Sequence, residues 1–165
     1  MNLGLSEELK TAFTDTIPVL RPIVEDQEIK DPDWIAGFVC GEGCFLVNIF
    51  NSSTHRIGYQ VQIKFQLTQH SRDELLMKSL VSYLGCGRYE PINNQDLGVF
   101  VVTKFLDLTD KIIPLFQKYP VQGVKHLDFL DFVKVTEIMK QKEHLTERGL
   151  DQIIKIKAGM NKGRS

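Results

Sequence analysis

A chain of 165 residues with 42% hydrophobic and 25% charged residues is long enough to enclose one globular core and too short for several. No apolar run approaches the length that spans a bilayer, and no basic, apolar leader opens the sequence, so no membrane partner is expected. Three cysteines, an odd number without paired spacing, point away from a disulfide framework and towards a reducing, intracellular compartment.

The formal net charge of −1 by itself argues against a nucleic-acid binder. Its distribution reverses that impression. Residues 1–31 hold seven acids against three bases, whereas from Cys44 through Arg72 there is no acid, and His55, Arg56, Lys64, His70 and Arg72 appear. An acid-free stretch of this length is the electrostatic footprint of a face that meets phosphates.

In chain order, residues 1–30 read as a short amphipathic piece (Leu5, Leu9, Phe13) followed by an extended segment punctuated by Pro18 and Pro22. Asp31 and Pro32 then supply an N-cap and a first helical residue, which predicts a helix from about Pro32 to Gly41. Inside it, Gly37 and Gly41 stand four apart with Ala36 beside them. A glycine within a helix costs about 1 kcal/mol against alanine, so two on one face imply that another backbone approaches closely there. Glu42 follows at the helix tip, facing the negative pole of the helix dipole, a poor place for a carboxylate without a compensating cation. The position reads as a metal ligand; the bland competitor is a buried small-residue helix with an incidental exposed acid.

Phe45 to Phe50 reads as a strand, Asn51 to His55 as a polar turn, and Tyr59 to Thr68 as a second strand. There Tyr59, Val61, Ile63, Phe65 and Leu67 alternate strictly with Gln60, Gln62, Lys64, Gln66 and Thr68, so one face packs on helices and the other faces outward. A capping box, Ser71 with Glu74, opens a helix that closes at Tyr83-Leu84 with Gly85 as its cap. Arg88–Glu90 and Val99–Lys104 form a hairpin across Asn93–Asp96. Helices follow at Leu108–Lys118, kinked at Pro114, at Lys125–Lys142 and at Thr146–Gly159. The order α-β-β-α-β-β-α-α predicts an α+β domain over residues 31–165, with an antiparallel four-stranded sheet backed by helices.

The outward row Gln60, Gln62, Lys64 and Gln66 suits base-edge reading, because a glutamine amide offers a donor and an acceptor together and lysine supplies donors. Leu46, Asn48 and Phe50 share that face by parity, and the turn adds Ser52 and Thr54, with Arg56 beyond it. The last two strands add Arg88, Glu90 and either Thr103 or Lys104. A merely solvated polar face is the alternative reading. His70, His126 and His144 have no ligand spacing and read as surface or packing residues, as do Cys40 and Cys44.

Ile35-Ala-Gly-Phe-Val-Cys-Gly-Glu-Gly43, with Asp-Pro-Asp-Trp before it and Cys-Phe after it, resembles the nine-residue motif of the LAGLIDADG homing endonucleases. The sixth position, usually Asp, is Cys40; the seventh, usually Ala, is Gly41; the acid of the eighth is kept as Glu42. The resemblance extends over roughly residues 31–145. It implies metal-dependent cleavage of double-stranded DNA, with Glu42 and the adjoining Gly41 at the metal and Gln66 and Lys125 around it, and no small-molecule substrate. The metal that suits hard oxygen ligands is Mg²⁺. The motif helix, through Ile35, Ala36, Gly37, Cys40 and Gly41, would pair two copies into a homodimer on a near-palindromic site. Residues 1–30 resemble the linker of double-motif members, so half of a two-motif enzyme is a second reading. A maturase-like protein assisting intron RNA, or a DNA-binding regulator on the same fold, is a third. The resemblance suggests an intron-encoded protein, mitochondrial if organelle-encoded.

Overall fold

The computed structural model describes residues 6–17, 29 and 31–164. Leu5, Pro18 and Pro22 of the expected N-terminal segment lie outside these. A short helix, α1 (Glu7–Ala12), is capped by the Ser6 hydroxyl and buries none of its residues.

The motif helix α2 spans Pro32–Glu42, and the Asp31 carboxylate accepts the Asp33 N–H at 2.9 Å. It runs without a loop into β1 (Gly43–Asn51), which pairs antiparallel with β2 (Tyr59–His70). A single 3₁₀ turn, Ser71–Asp73, leads into α3 (Glu74–Leu84). The expected Ser71–Glu74 capping box is not formed. The extra turn moves Ser71 inside helical backbone, and His70 Nδ1 accepts the Arg72 N–H at 3.2 Å instead. Gly85 closes α3 in the left-handed conformation, at φ 60°.

The hairpin forms as β3 (Arg88–Ile92) and β4 (Leu97–Val102), and the sheet order is β1-β2-β4-β3. After β4 the chain turns at Lys104 into α4 (Phe105–Asp107), a π turn (Leu108–Ile112) and α5 (Ile113–Lys118). The widened turn sits just before Pro114, whose ring would clash with the carbonyl four residues back in a regular helix. The longest helix, α6, covers Val124–Lys140, and α7 covers Glu147–Ala158 with Thr146 as its N-cap. No helix among the described residues is long and apolar enough to cross a membrane.

The helices back the sheet because the inward parity of its strands is apolar. Phe45, Val47, Val61, Ile63, Phe65, Leu67, Phe100 and Val102 share one core with Ile35, Val39, Met77, Leu80, Phe116, Phe129, Phe132 and Ile153. Tyr59, read as inward, is 43% exposed, because it starts β2 beyond the helical cover. Phe45 is the hub, with ring centroids of Phe65, Phe116, Phe129 and Phe132 at 5.2, 5.7, 5.3 and 5.4 Å.

The C-terminal residues are tied back by charge. Arg164 bonds Asp128 at 3.1 Å and Asp131 at 2.6 Å, and Lys134 bonds Asp131 at 2.8 Å. Partial burial acts to raise the Asp131 pKa, but hydrogen bonds from Lys134 and Arg164 outweigh it and hold the carboxyl below its usual range.

Two outcomes are expected in urea unfolding. Phe45→Ala should lose about 3–5 kcal/mol by leaving a cavity among four rings, whereas Gln62→Ala on the opposite face should change stability by about 0.5 kcal/mol or less. A loss below about 1 kcal/mol for Phe45→Ala would displace it from the hub of the core. For Asp131, a folded pKa below the unfolded one means that its stabilisation is present above about pH 3.9 and is lost as pH falls through the folded value. The deficit of Asp131→Asn against wild type should therefore be constant from neutral pH to about pH 5 and shrink below about pH 4. A deficit that persists unchanged in acid would mean the Asp131 ion pairs contribute nothing.

Candidate active site and nucleic-acid interface

Glu42 is the last residue of α2, and its side chain is exposed. The geometry there depends on Gly43. Its N–H donates to the Val39 carbonyl, and a Cβ at Gly43 would lie 2.7 Å from that same oxygen. Only glycine lets the chain leave the helix and enter β1 without a loop, so the acid stands on the rigid joint between two packed elements.

The cation that the helix end requires comes from α6. Gly123, at φ 62° and ψ −145°, sits at the N-cap of α6 and turns the chain into it. In the first turn, the Lys125 ammonium donates to the Gly43 carbonyl. A positive charge thus rests at the negative pole of α2, one residue from Glu42. The loop before α6 is fastened to the same helix, because the Gln122 N–H donates to Cys40 Sγ at 3.1 Å. Cys40, at the position where the resembled motif usually has Asp, therefore serves as an acceptor through its sulfur.

A cleft of about 610 Å³ opens beside this joint, lined by Cys40, Cys44, Lys125, Asp128, Asn161 and Lys162 among others. Burial pushes the Cys44 thiol up, opposed by the nearby charge of Lys125. Sequence reading did not bring Asp128 or Asn161 to this place. Asp128 is 3% exposed, and a buried acid at that helical position was the available signal.

Glu42 and the Gly41 carbonyl are hard oxygen donors, a set that suits a divalent cation such as Mg²⁺. Among the described residues, no three His, Cys, Asp or Glu side chains converge on one point. The donors fit part of a metal site.

The outward face of the sheet is assembled as its parity requires. Register sets Leu46 beside Lys64, Asn48 beside Gln62 and Phe50 beside Gln60, and Cys44 lies opposite Gln66. Gln66 in turn meets Val101 of β4, and Val101 meets Arg88 of β3. Parity selects Thr103, just past the end of β4, over Lys104. Arg88 Nε bonds Glu90 at 2.6 Å and Arg88 Nη1 bonds Thr103 at 3.3 Å, so these three form one exposed group. In the β1–β2 turn, Ser52 Oγ lies 3.1 Å from Thr54 Oγ1 and 2.8 Å from His55 Nδ1, while Arg56 is exposed. The outward row of β1 and β2 carries no acid. Val101 and Val99 were not anticipated on this face; Val101 is 3% exposed, a dry spot between Gln66 and Arg88.

The expected pairing surface needs correction. Ile35 is 0% and Ala36 6% exposed, so both side chains are spent inside their own domain. The open side of α2 carries Asp33, Trp34, Gly37 and Gly41 instead, with Phe38 stacked on Trp34 at 5.0 Å. Among the described residues, no atom outside the helix's own backbone lies within 4 Å of a Cβ built at Gly37 or Gly41, so none of them is the close backbone neighbour inferred from these glycines. His126 and His144 are packing residues, each half-buried with an Nδ1 that has no hydrogen-bond partner among the described residues.

The comparisons agree on one relationship. The LAGLIDADG endonuclease family model matches residues 35–136. A probable intron-encoded endonuclease 3 of Neurospora crassa is 38% identical over 154 residues, which are 93% of this chain and 29% of that protein. The I-SmaMI LAGLIDADG homing endonuclease, solved with cleaved DNA, superposes with a TM-score of 0.95 at 45% identity, over 100% of this chain and 55% of its own. I-SmaMI bound to an uncleaved DNA target in the presence of calcium ions gives a TM-score of 0.93 at 45% identity, over 97% and 54%. The chain thus spans about half the length of these solved structures and less than a third of the curated relative. With its motif helix, sheet and core all matched, the chain belongs to the LAGLIDADG endonuclease family.

Proposed function

We propose that this chain is a catalytic unit of a site-specific double-strand DNA endonuclease that hydrolyses phosphodiester bonds with a divalent cation, Mg²⁺ by the chemistry of its donors. The observation that carries this reading is the end of α2. An exposed carboxylate, Glu42, stands there with the Lys125 ammonium anchored one residue away on the Gly43 carbonyl. Dependence on a divalent cation is supported by the calcium ions present with I-SmaMI and its uncleaved target.

Glu42 would hold the cation with the Gly41 carbonyl beside it. When bound, the cation neutralises charge at the scissile phosphate and acidifies water. Lys125 keeps a fixed positive charge next to the reacting phosphate, and Gln66, paired with Cys44, offers an amide to orient water from the sheet side. The acid-free row Gln60, Gln62 and Lys64, with Asn48 across from Gln62, would enter the major groove.

One carboxylate is half of a site. The open face of α2 at Gly37 and Gly41 supports completion by a second motif helix. A second copy about a two-fold axis would supply another Glu42 and an identical reading face, giving a homodimer on a near-palindromic target. The half-length relation to I-SmaMI supports a second arrangement, in which a different motif unit fills that place and the target is asymmetric. The name of the Neurospora relative supports an intron-encoded origin, and mitochondrial residence belongs to the same proposal.

A duplex recovered by selection from a randomised library tests this reading. Glu42→Gln should reduce Mg²⁺-dependent cleavage by about 10³-fold or more while DNA affinity stays near wild type. Near-wild-type cleavage by Glu42→Gln would remove the acid from the mechanism. On a panel of singly substituted duplexes, Gln62→Ala and Lys64→Ala should each relax preference at one base pair per half-site, by about 1–3 kcal/mol. If Lys64 meets a phosphate instead, its loss weakens all duplexes alike and flattens the salt dependence. Unaltered base preference in both variants would take β2 off the reading surface.

A further inference from the structure

The three residues that follow Glu42 are each held from outside their own strand. The Gly43 carbonyl accepts from Lys125. The Cys44 thiol donates to Asn161 Oδ1 at 3.3 Å, and the Phe45 carbonyl accepts from Asn161 Nδ2 at 3.0 Å. Asn161 thus grips two successive residues of β1 with the two ends of one amide. Its own backbone is in the left-handed region, at φ 54°, a conformation that asparagine tolerates better than most residues. Its N–H donates to Asp128 Oδ1 at 2.9 Å. Asp128 lies on α6 one turn beyond Lys125 and is almost completely buried. One residue near the C-terminus therefore joins the helix that carries the lysine to the strand that begins at the acid.

We propose that Asn161 is a positioning residue for DNA cleavage. By locking the start of β1 against α6, it fixes the separation of the Glu42 carboxylate and the Lys125 ammonium. The inference rests on the reading of those two groups as cleavage machinery. Arg164 provides the contrast: it grips the same Asp128, and Asp131 besides, yet makes no hydrogen bond to β1. A residue that only anchors the C-terminus would behave as Arg164 does.

The test compares Asn161→Gly, Asn161→Asp and Arg164→Ala with wild type. Glycine keeps the left-handed backbone and deletes the amide. Aspartate keeps an acceptor for the Cys44 thiol but has no donor for the Phe45 carbonyl. Three quantities are measured: single-turnover cleavage and Kd on the selected duplex in Mg²⁺, the rate of Cys44 alkylation with buried Cys86 as internal reference, and the thermal midpoint. Asn161→Gly should lower cleavage about 10- to 100-fold through misplacement of the reacting groups, with Kd within about twofold of wild type, and Cys44 should alkylate faster. Asn161→Asp should also lose cleavage while Cys44 stays partly protected. Arg164→Ala should lower the thermal midpoint and cleave within about twofold of wild type. Wild-type cleavage by Asn161→Gly overturns the proposal, and so does an equal cleavage loss in Arg164→Ala. Unfolding of both Asn161 variants at the assay temperature would make the residue a determinant of the fold and overturn it as well. If wild type cuts no selected duplex although Cys44 alkylation responds to Asn161→Gly, the endonuclease reading fails and takes this role with it, leaving a clamp without a reaction.

Discussion

The rings packed around Phe45 hold the rest of the molecule in place. Phe45 stands three residues after Glu42, and its neighbours Phe65, Phe116, Phe129 and Phe132 come from β2, α5 and α6. Close-packed aromatic side chains tolerate little displacement, because interiors are filled to crystal-like density. The acid at the end of α2, the lysine at the start of α6 and the outward row of β2 are all tied to elements that meet at this cluster. Precision at the surface is inherited from the interior.

Electrostatics then divides the surface into regions with separate work. The helix dipole and Glu42 concentrate negative character at one point, and Lys125 answers it within hydrogen-bond reach. The sheet outside that point is neutral to basic along β1 and β2, and the acids that bring the whole chain near neutrality lie elsewhere. Around Asp128 and Asp131 they serve the fold by pairing with Arg164 and Lys134. An overall charge near zero therefore conceals an outward row along β1 and β2 that carries no carboxylate.

What could be read from the residues was what repeats locally. The period-two alternation of β2 gave its two faces correctly from Val61 to Leu67, and the Asp31-Pro32 start and the expected end at Gly41 bounded α2 to within a residue. The side of α2 that faces the core was harder, because Trp34 and Phe38 are as apolar as Ile35 and Val39. A helix apolar all round carries no periodic sign of which stripe is inside, and Ile35 and Ala36 were placed on the wrong side for that reason. The Ser71 cap failed because the chain inserted one extra turn that local composition does not announce. The ties that shape the site, Lys125 to Gly43, Gln122 to Cys40 and Asn161 to β1, join residues at least 82 apart in sequence. No spacing rule reaches that far, and only the fold brings those groups together.

The absence of any connecting residue between α2 and β1 has a consequence for how the outward face of the sheet can vary. Strand side chains alternate between faces, so a single residue inserted after Glu42 would send Asn48 inward and Phe45 outward, exchanging outward face for core in one step. Substitution is free of that penalty, because Asn48, Gln62 and Lys64 project away from the packed interior. Variation on this scaffold is therefore confined to exchanges of side chain at fixed length along β1, and changes in length are accommodated only at the far turn of residues 52–58, beyond the last pair, Asn51 with Tyr59.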